Sequence, residues 1–344
     1  MKDTYILAIE SSCDETAVAI VKNGKEVLAN IVATQIDVHK DFGGVIPEVA
    51  SRIHVENISM VIEEALKKAE MQVEDMDAIA VTQGPGLVGC LHVGVQAAKT
   101  LAWAYQKPLV PVHHIAGHIY ANALIADLKF PLLALVVSGG HTELVYMKDE
   151  WSFEILGTTQ DDAIGEAGDK VGRVLGLPYP GGVYVDKLAK EGKAVYTLAK
   201  PKTENELDFS FSGLKSSVLQ FIDRSKRKNE PFVPADLAAS YQETAFEALL
   251  LRARIALKQY QPLQMVLAGG VAANSCLRQK VSEDLTKEFS DVEFIIPPLS
   301  CCTDNAAMIA VAGTIAYQHG VRGDFDLTAD PGIELENDEK VSHL

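Results

Sequence analysis

Short apolar runs that end in polar, Gly- or Ser-rich turns recur along this chain, and their spacing predicts its architecture. Residues 5–10 (YILAIE) read as a buried strand, followed by polar SSCDET, the strand AVAIV, a turn at Asn23-Gly24 and the strand KEVLANIV. An Asn-Gly pair between apolar runs signals a tight hairpin, because both residues tolerate the positive φ that the turn requires. The same plan returns about 127 residues later, as similar units at a fixed offset would produce. Residues 132–137 (LLALVV) are again a buried strand, and SGGHTE, LVYM, a turn at Lys148-Asp149-Glu150 and FEIL follow. The two halves read as a duplication of one β-meander.

After each meander the apolar period lengthens. Ile58, Val61, Ile62, Ala65, Leu66 and Ala69 fall at i, i+3, i+4, i+7, i+8 and i+11, one face of an amphipathic helix over 51–69. DAIAVTQGPG is a strand running into a Gly-rich turn, 89–106 a helix, LVPVHH a strand end and HIAGHIYANALIA a helix. In the second half a long helix over 236–259 precedes the strand QMVLAGGV, a helix from near Ala273, the strand VEFIIPP and a closing helix from Asp304. Meanders followed by βα units, twice, predict an α/β protein of two domains with mixed sheets. The expected domains are 1–129 and 130–303, the second with a helical insertion. The closing helix, 304–326, is expected to pack back on the first domain, and the acidic tail, 328–344, to fray.

Composition narrows the class. At 344 residues and 48% apolar, the chain has material for about two cores. MKDTYILAIESSCDE has too short an apolar run for a secretory signal, and no stretch of about 20 apolar residues offers a membrane span. The five cysteines lack CxxC spacing and read as free thiols in a reducing cytosol. A cytoplasmic, globular protein without membrane contact is the expectation. The net charge of −16 argues against strong unaided binding of nucleic acid, leaving a local basic strip or a basic partner as the routes to it. The basic residues Lys200, Lys202, Lys215, Arg224, Lys226, Arg227 and Lys228, densest in SKRKN, are either a solvated face or the best local candidate for RNA phosphates.

Candidate chemistry gathers at the turns. His114 and His118 in HHIAGH are four apart on a predicted helix, so both imidazoles project from one face. Such a pair holds one divalent metal or is a buried or capping pair. Asp304, in LSCCTDN, is a third candidate ligand, or else a first-turn carboxylate favoured by the helix dipole. Two histidines and one aspartate with open positions suit a Lewis acid. A zincin carries a glutamate after its first histidine as general base; Ile115 stands there, which argues against proteolysis.

SSCDET (11–16), SGGHT (138–142) and AGGVAAN (268–274) each follow a buried strand. Successive N–H groups there form an anion nest or simply a turn. Three of them in two similar halves favour a nucleotide cleft. Asp14 and Glu15 could act as a base or contact a metal-bound phosphate, against a solvated turn pair. Glu166, Asp169, the Pro-Gly-Gly loop after Tyr179 and Asp186 offer contacts to a ribose or small polar ligand, against helix and turn punctuation.

Taken in order, IESSCDETAVAIV, GGVIPEVASRIH, TQGPGLVGCLHVG, PVHHIAGH, LVVSGGHTELV, DDAIGEAGDKVGRVLGLPYPGG, FSFSGLK, LAGGVAAN and CCTDNAAMIA resemble the TsaD family of tRNA threonylcarbamoyladenosine synthases. The resemblance implies two ribonuclease-H-like domains of the superfamily of acetate kinase, actin and the heat-shock chaperone ATPases, with a nucleotide in a central cleft. It implies transfer of the threonylcarbamoyl group from threonylcarbamoyl-AMP to N6 of adenosine 37 in tRNAs reading ANN codons. Carried over residue by residue, it implies iron or zinc on His114, His118 and Asp304. The adenylate would contact Val136, Val137, Ser138, Gly139, Gly140, Asp169, Gly182, Asp186 and Asn274. An amine conjugated to a purine is a poor nucleophile and needs a base, for which Asp14 is the first candidate and Glu15 the second. The resemblance further implies tRNA as substrate, a TsaB-like paralogue as heterodimer partner and a TsaE-like ATPase. It allows ATP or ADP in the cleft or at that ATPase, and implies a TsaC-like synthase that supplies the adenylate. Gly168 departs from the pattern, standing where some bacterial members carry a larger, often aromatic residue. A nucleotide-binding regulatory ATPase or scaffold, and a metallopeptidase, stand as the alternatives.

Overall fold

A computed structural model describes residues 2–335, and the chain divides into two compact units. The first runs to Leu128 and resumes over Ser300–Leu335; the second is Lys129–Leu299. The first unit holds a five-stranded sheet of order β3-β2-β1-β4-β5, built from β1 (Tyr5–Glu10), β2 (Glu15–Lys22), β3 (Glu26–Thr34), β4 (Ala78–Gly84) and β5 (Leu109–His113). The second holds a sheet of order β8-β7-β6-β9-β10, from β6 (Leu132–Val137), β7 (Thr142–Met147), β8 (Glu154–Thr158), β9 (Gln264–Ala268) and β10 (Glu293–Ile295).

In each sheet the first three strands are antiparallel neighbours, and the fourth joins parallel to the first and the fifth parallel to the fourth. Each also carries a bulge between its second and third strands, at Ile20/Val21 and at Leu144/Val145. Both units therefore follow one ribonuclease-H-like plan, and the repeated meander in the sequence is its local part. The first hairpin closes through Asn23 (φ 54°) and Gly24 (φ 64°), both left-handed as a type I′ turn demands.

The helices Pro47–Ala69 and Val88–Tyr105 bury Ile58, Val61, Ala65, Val95 and Ala98 with Leu7, Ile9, Val18 and Ile20 of the first sheet. The first of these helices starts four residues ahead of the predicted stretch, at a proline, whose fixed φ and missing N–H suit the first helical position. The helix Ala306–Gln318 is apolar on all sides and buried from Ala306 to Ala316, which marks an element enclosed by its own unit. It lies so close to the first sheet that a Cβ on Gly313 would stand 2.6 Å from Ala80 Cβ.

Residues 328–335 do not fray as expected. Asp330 N donates to Gln83 O (2.9 Å), Gln83 Nε2 donates to Thr328 O (3.2 Å), and Leu335 is buried. Backbone pairing at the end of β4 outweighs the tail's charge. The remainder of that tail, 336–344, lies outside the described residues. Among the described residues no helix is long and apolar enough to cross a membrane.

Candidate metal centre and substrate turns

The short helix His114–Tyr120 begins directly where β5 ends, and all seven of its residues are buried. The 13-residue apolar helix expected here is shorter, giving way to a 3-10 turn over Ala121–Leu124. His113 serves as N-cap, its Nδ1 accepting from Ile115 N (3.2 Å), so capping falls to the histidine just before the pair. His114 and His118 are thereby left to face one another, ring centroids 4.7 Å apart and nearly perpendicular.

Asp304 meets them from the loop ahead of Ala306–Gln318. It is not in the first helical turn: Asn305 is the N-cap, accepting from Met308 N (3.1 Å). Asp304 Oδ1 lies 3.1 Å from His118 Nε2 and 3.6 Å from His114 Nε2. One ligand atom from each of the three residues falls within 4.8 Å of the others. Among the described residues neither ring nitrogen of buried His118 finds a well-directed hydrogen bond, close as Nε2 is to Asp304. Buried polar atoms are costly when left so, and lone pairs converging with a carboxylate fit a divalent cation.

Glu10, a residue the sequence pattern did not single out, underlies this centre. Fully buried at the end of β1, its Oε2 lies 3.1 Å from His114 Nδ1 and accepts from Thr82 Oγ1 (2.6 Å), while its Oε1 accepts from Ser12 N (2.5 Å). Burial alone would lower the pKa of His114, but the carboxylates of Glu10 and Asp304 override it and hold the ring at about 9. Burial likewise penalises the Glu10 carboxylate, yet His114 keeps it below its usual range. With Nδ1 turned to Glu10, Nε2 is directed toward Asp304 and His118, the arrangement by which a carboxylate fixes a ligand's tautomer. The only sequence signal for Glu10 was a charge closing an otherwise apolar strand.

Asp14 and Glu15 belong to the same unit, Asp14 in the turn between β1 and β2 and Glu15 at the first position of β2. His54, also missed in sequence, fixes that turn: it pairs with Thr16 Oγ1 (2.7 Å) and Cys13 O (2.9 Å), and burial lowers its pKa so that it stays neutral. Tight packing of the turn leaves no side-chain room at Gly86, whose Cβ would stand 2.6 Å from Ser12 O. Glu15 is pushed well above the usual carboxylate range, first by burial and then by the nearby charges of Asp304 and Asp14. Its Oε1 accepts from Thr34 Oγ1 (3.1 Å).

The remaining candidates lie in the second unit. Val136 and Val137 end β6 and are fully buried; Ser138 N donates to His141 O (2.8 Å) and Ser138 Oγ accepts from His141 N (3.0 Å). Gly139 and Gly140 are exposed, with open space where their side chains would be. The helix Ile164–Val174 starts against this turn, Gly165 N donating to Ser138 O (3.2 Å). Gly269 joins from the end of β9, at φ 89°, and its Cβ would stand 2.5 Å from Val137 O. Gly269→Ala is therefore expected to cost about 2–4 kcal/mol through strain and overpacking, read as a lower urea midpoint.

Asp169 Oδ1 accepts from Gly182 N (2.8 Å), tying together the two helices that carry them. Asp186 accepts from Ser275 Oγ (2.8 Å) and Gln242 Nε2 (3.3 Å), and Asn274 caps the helix Ser275–Lys280 through Cys276 N and Leu277 N. These hydrogen bonds tie the helix Gly181–Ala189 to the helix Ile164–Val174 and to the loop after β9. Gly168 sits within this packing, where a Cβ would meet Gly182 Cα at 3.5 Å, ordinary contact.

The model of one protein family, described as TsaD, tRNA N6-adenosine threonylcarbamoyltransferase, matches residues 26–311. The chain belongs to the TsaD family. This TsaD-family chain is 57% identical over 336 residues to the tRNA N6-adenosine threonylcarbamoyltransferase of Bacillus cereus, covering 97% of this chain and 98% of that one. It is 56% identical over 342 residues to the enzyme of the same name from Bacillus subtilis, covering 99% of each. Among solved structures, full-length HypF in its phosphate- and nucleotide-bound form is similar with TM-score 0.62 at 16% identity, over 92% of this chain and 46% of HypF. Component A of the (R)-2-hydroxyglutaryl-CoA dehydratase of Acidaminococcus fermentans is similar with TM-score 0.54 at 16% identity, over 93% and 99%. At such identity these two likenesses speak for the fold alone.

Proposed function

We propose that this TsaD-family chain transfers the threonylcarbamoyl group of threonylcarbamoyl-AMP to N6 of adenosine 37 in tRNAs reading ANN codons, with release of AMP. The relatives' name supports the reaction. The observation on this chain that carries it is the convergence of His114, His118 and Asp304 in one unit with the Asp14–Glu15 turn.

Two histidine nitrogens and a carboxylate oxygen would hold one divalent ion, iron or zinc, with positions open for substrate. Bound there, the ion supplies a Lewis acid that orients the carbamoyl group and offsets negative charge developing on its oxygen. Glu10 holds His114 in the ligating tautomer from outside the ligand set. Glu10→Gln is expected to weaken metal affinity about 10- to 100-fold, measured by competition with a chromophoric chelator.

In the transfer, adenosine N6 attacks the carbamoyl carbonyl carbon. A C–N bond forms, the bond from that carbon to the phosphate oxygen breaks, and AMP departs with the bonding pair. The proton lost from N6 passes to Asp14. Glu15, whose pKa burial and the charges of Asp304 and Asp14 push upward, is the second candidate for base. The turn Val136–Gly140 offers backbone groups to the adenylate, and Asp169, Gly182, Asp186 and Asn274 complete its site.

The acidic chain is expected to act with partners: a TsaB-like paralogue, a TsaE-like ATPase that takes ATP or ADP, and a TsaC-like synthase that makes the adenylate. The reaction belongs in the cytoplasm, where tRNA is at hand; the free thiols of Cys13, Cys90, Cys276, Cys301 and Cys302 suit a reducing compartment. The test combines protein, partners, threonylcarbamoyl-AMP and unmodified tRNA, with modified adenosine read by mass spectrometry. Product is expected only with metal present. ATP turnover without product would overturn the proposal in favour of a regulatory ATPase.

A further inference from the structure

The basic residues of the second unit remain unassigned by the metal centre and the substrate turns. The helix Ser212–Lys228 buries Leu214, Val218 and Ile222 and turns Arg224, Lys226 and Arg227 outward. An extended segment runs beside it. Ala199 N donates to Ser217 Oγ (3.0 Å), and the Tyr196 ring lies 4.6 Å from that of Phe221. Exposed Lys200 directly follows the Ala199 contact, and Lys193 and Lys202 are exposed on the same segment, with Lys193 N donating to Asp236 Oδ1 (2.8 Å). None of these six cations takes part in an ion pair among the described residues, whereas Lys215, near the start of the helix, is held by Asp162 at 2.7 Å.

An aromatic cluster stiffens the strip. Phe221 packs edge-on against Phe232 (5.7 Å), Tyr196 Oη accepts from Val233 N (3.1 Å), and the Arg224 guanidinium stands 5.7 Å from the centre of the Phe221 ring. An arginine held over a ring keeps its planar face extended, ready to stack on a base or to fork a phosphate. From Ser217 to Arg227 the helix advances about 15 Å, at about 1.5 Å per residue. That length suits a few successive phosphates of one RNA strand. The rest of the chain is acidic, at −16 overall, so a polyanion has reason to approach here rather than elsewhere.

We infer that this strip, Lys193, Lys200, Lys202, Arg224, Lys226 and Arg227, is a docking surface for the sugar-phosphate backbone of tRNA. The inference rests on the transferase reading for the identity of the RNA. Phosphate contacts position a nucleic acid without reading its sequence, so the strip governs affinity and leaves the choice of adenosine to other residues.

The test uses the full chain with its partner subunits and the variant Arg224→Glu/Lys226→Glu/Arg227→Glu, alongside the milder triple substitution to Gln. Binding of fluorescein-labelled unmodified tRNA is followed by anisotropy across a salt series, and transfer kinetics are followed in parallel. With three cations removed from the strip, the slope of log affinity against log salt is expected to flatten by about two to three, and tRNA affinity to fall about tenfold or more. The KM for threonylcarbamoyl-AMP and the metal content should stay unchanged, which also shows that both variants fold. Unchanged tRNA affinity and slope would overturn the inference. So would loss of a partner subunit from the complex with tRNA binding intact, since the strip would then be a protein contact. If the unaltered protein binds tRNA with the steep salt slope yet forms no product, the transferase reading fails and the docking surface stands.

Discussion

Replacing His118 with alanine is expected to strip the protein of its metal and to slow transfer by more than about a hundredfold. Metal analysis of protein purified without chelators or a His-tag reads the first effect, and product formation at saturating substrates reads the second. The size follows from the sparseness of the site: with two imidazoles and one carboxylate there is no spare ligand, and His118 Nε2 is within 3.1 Å of Asp304. A His118→Ala protein with full metal content and rate would remove the centre from the mechanism. Loading carries a signature in pH as well. Without metal, His114 holds its proton up to about pH 9 because Glu10 and Asp304 outweigh burial. Ligation needs the neutral ring, so metal uptake at pH 7 should release a proton, and apparent affinity should climb about tenfold per pH unit until about pH 9. Calorimetry in buffers of different ionisation enthalpy measures that proton.

Asp14→Asn is expected to lower the transfer rate by about 10²–10⁴ while the KM for threonylcarbamoyl-AMP and the metal content hold. The substitution keeps the side chain's size and removes its basicity, so the backbone of the turn, with Asp14 O accepting from Gln35 N (3.0 Å), stays in place. Glu15 is not expected to take over. Burial and the neighbouring carboxylates of Asp304 and Asp14 push its pKa upward, and its Oε1 is already engaged by Thr34 Oγ1 (3.1 Å). Full rate in Asp14→Asn, with substrate binding unchanged, would sink the assignment of Asp14 as base.

What the sequence made legible was local in character. The Asn23-Gly24 turn, the strand at 132–137 and the four-residue spacing of His114 and His118 all depend on neighbours along the chain. Period and turn chemistry reveal such features. Asp304 was visible only as a candidate, because its meeting with the histidines depends on where a distant helix packs, which no short pattern encodes. The histidine pair itself shows how a local rule can mislead. Capping was a fair alternative for it, yet His113 does the capping. Glu10 escaped because a lone charge at a strand end looks like punctuation, and its worth appears only when Thr82, Ser12 and His114 converge on it. The tail up to Leu335 was misjudged for a related reason: acidic composition speaks of solvent, but its backbone found partners on Gln83.

The return of Ser300–Leu335 to the first unit has a consequence in time. A ribosome adding about 5–20 residues per second exposes β1 to β5 well before it reaches Asp304. Throughout that interval the face of the sheet that later receives Gly313 beside Ala80 has no cover, and His114 and His118 wait without their carboxylate. The nascent protein can thus begin its first fold early but finishes it last, after the whole second unit has been made. A chain cut short between His118 and Asp304 carries two histidines and no complete centre. Metal content in this protein should therefore double as a record of whether synthesis passed Asp304.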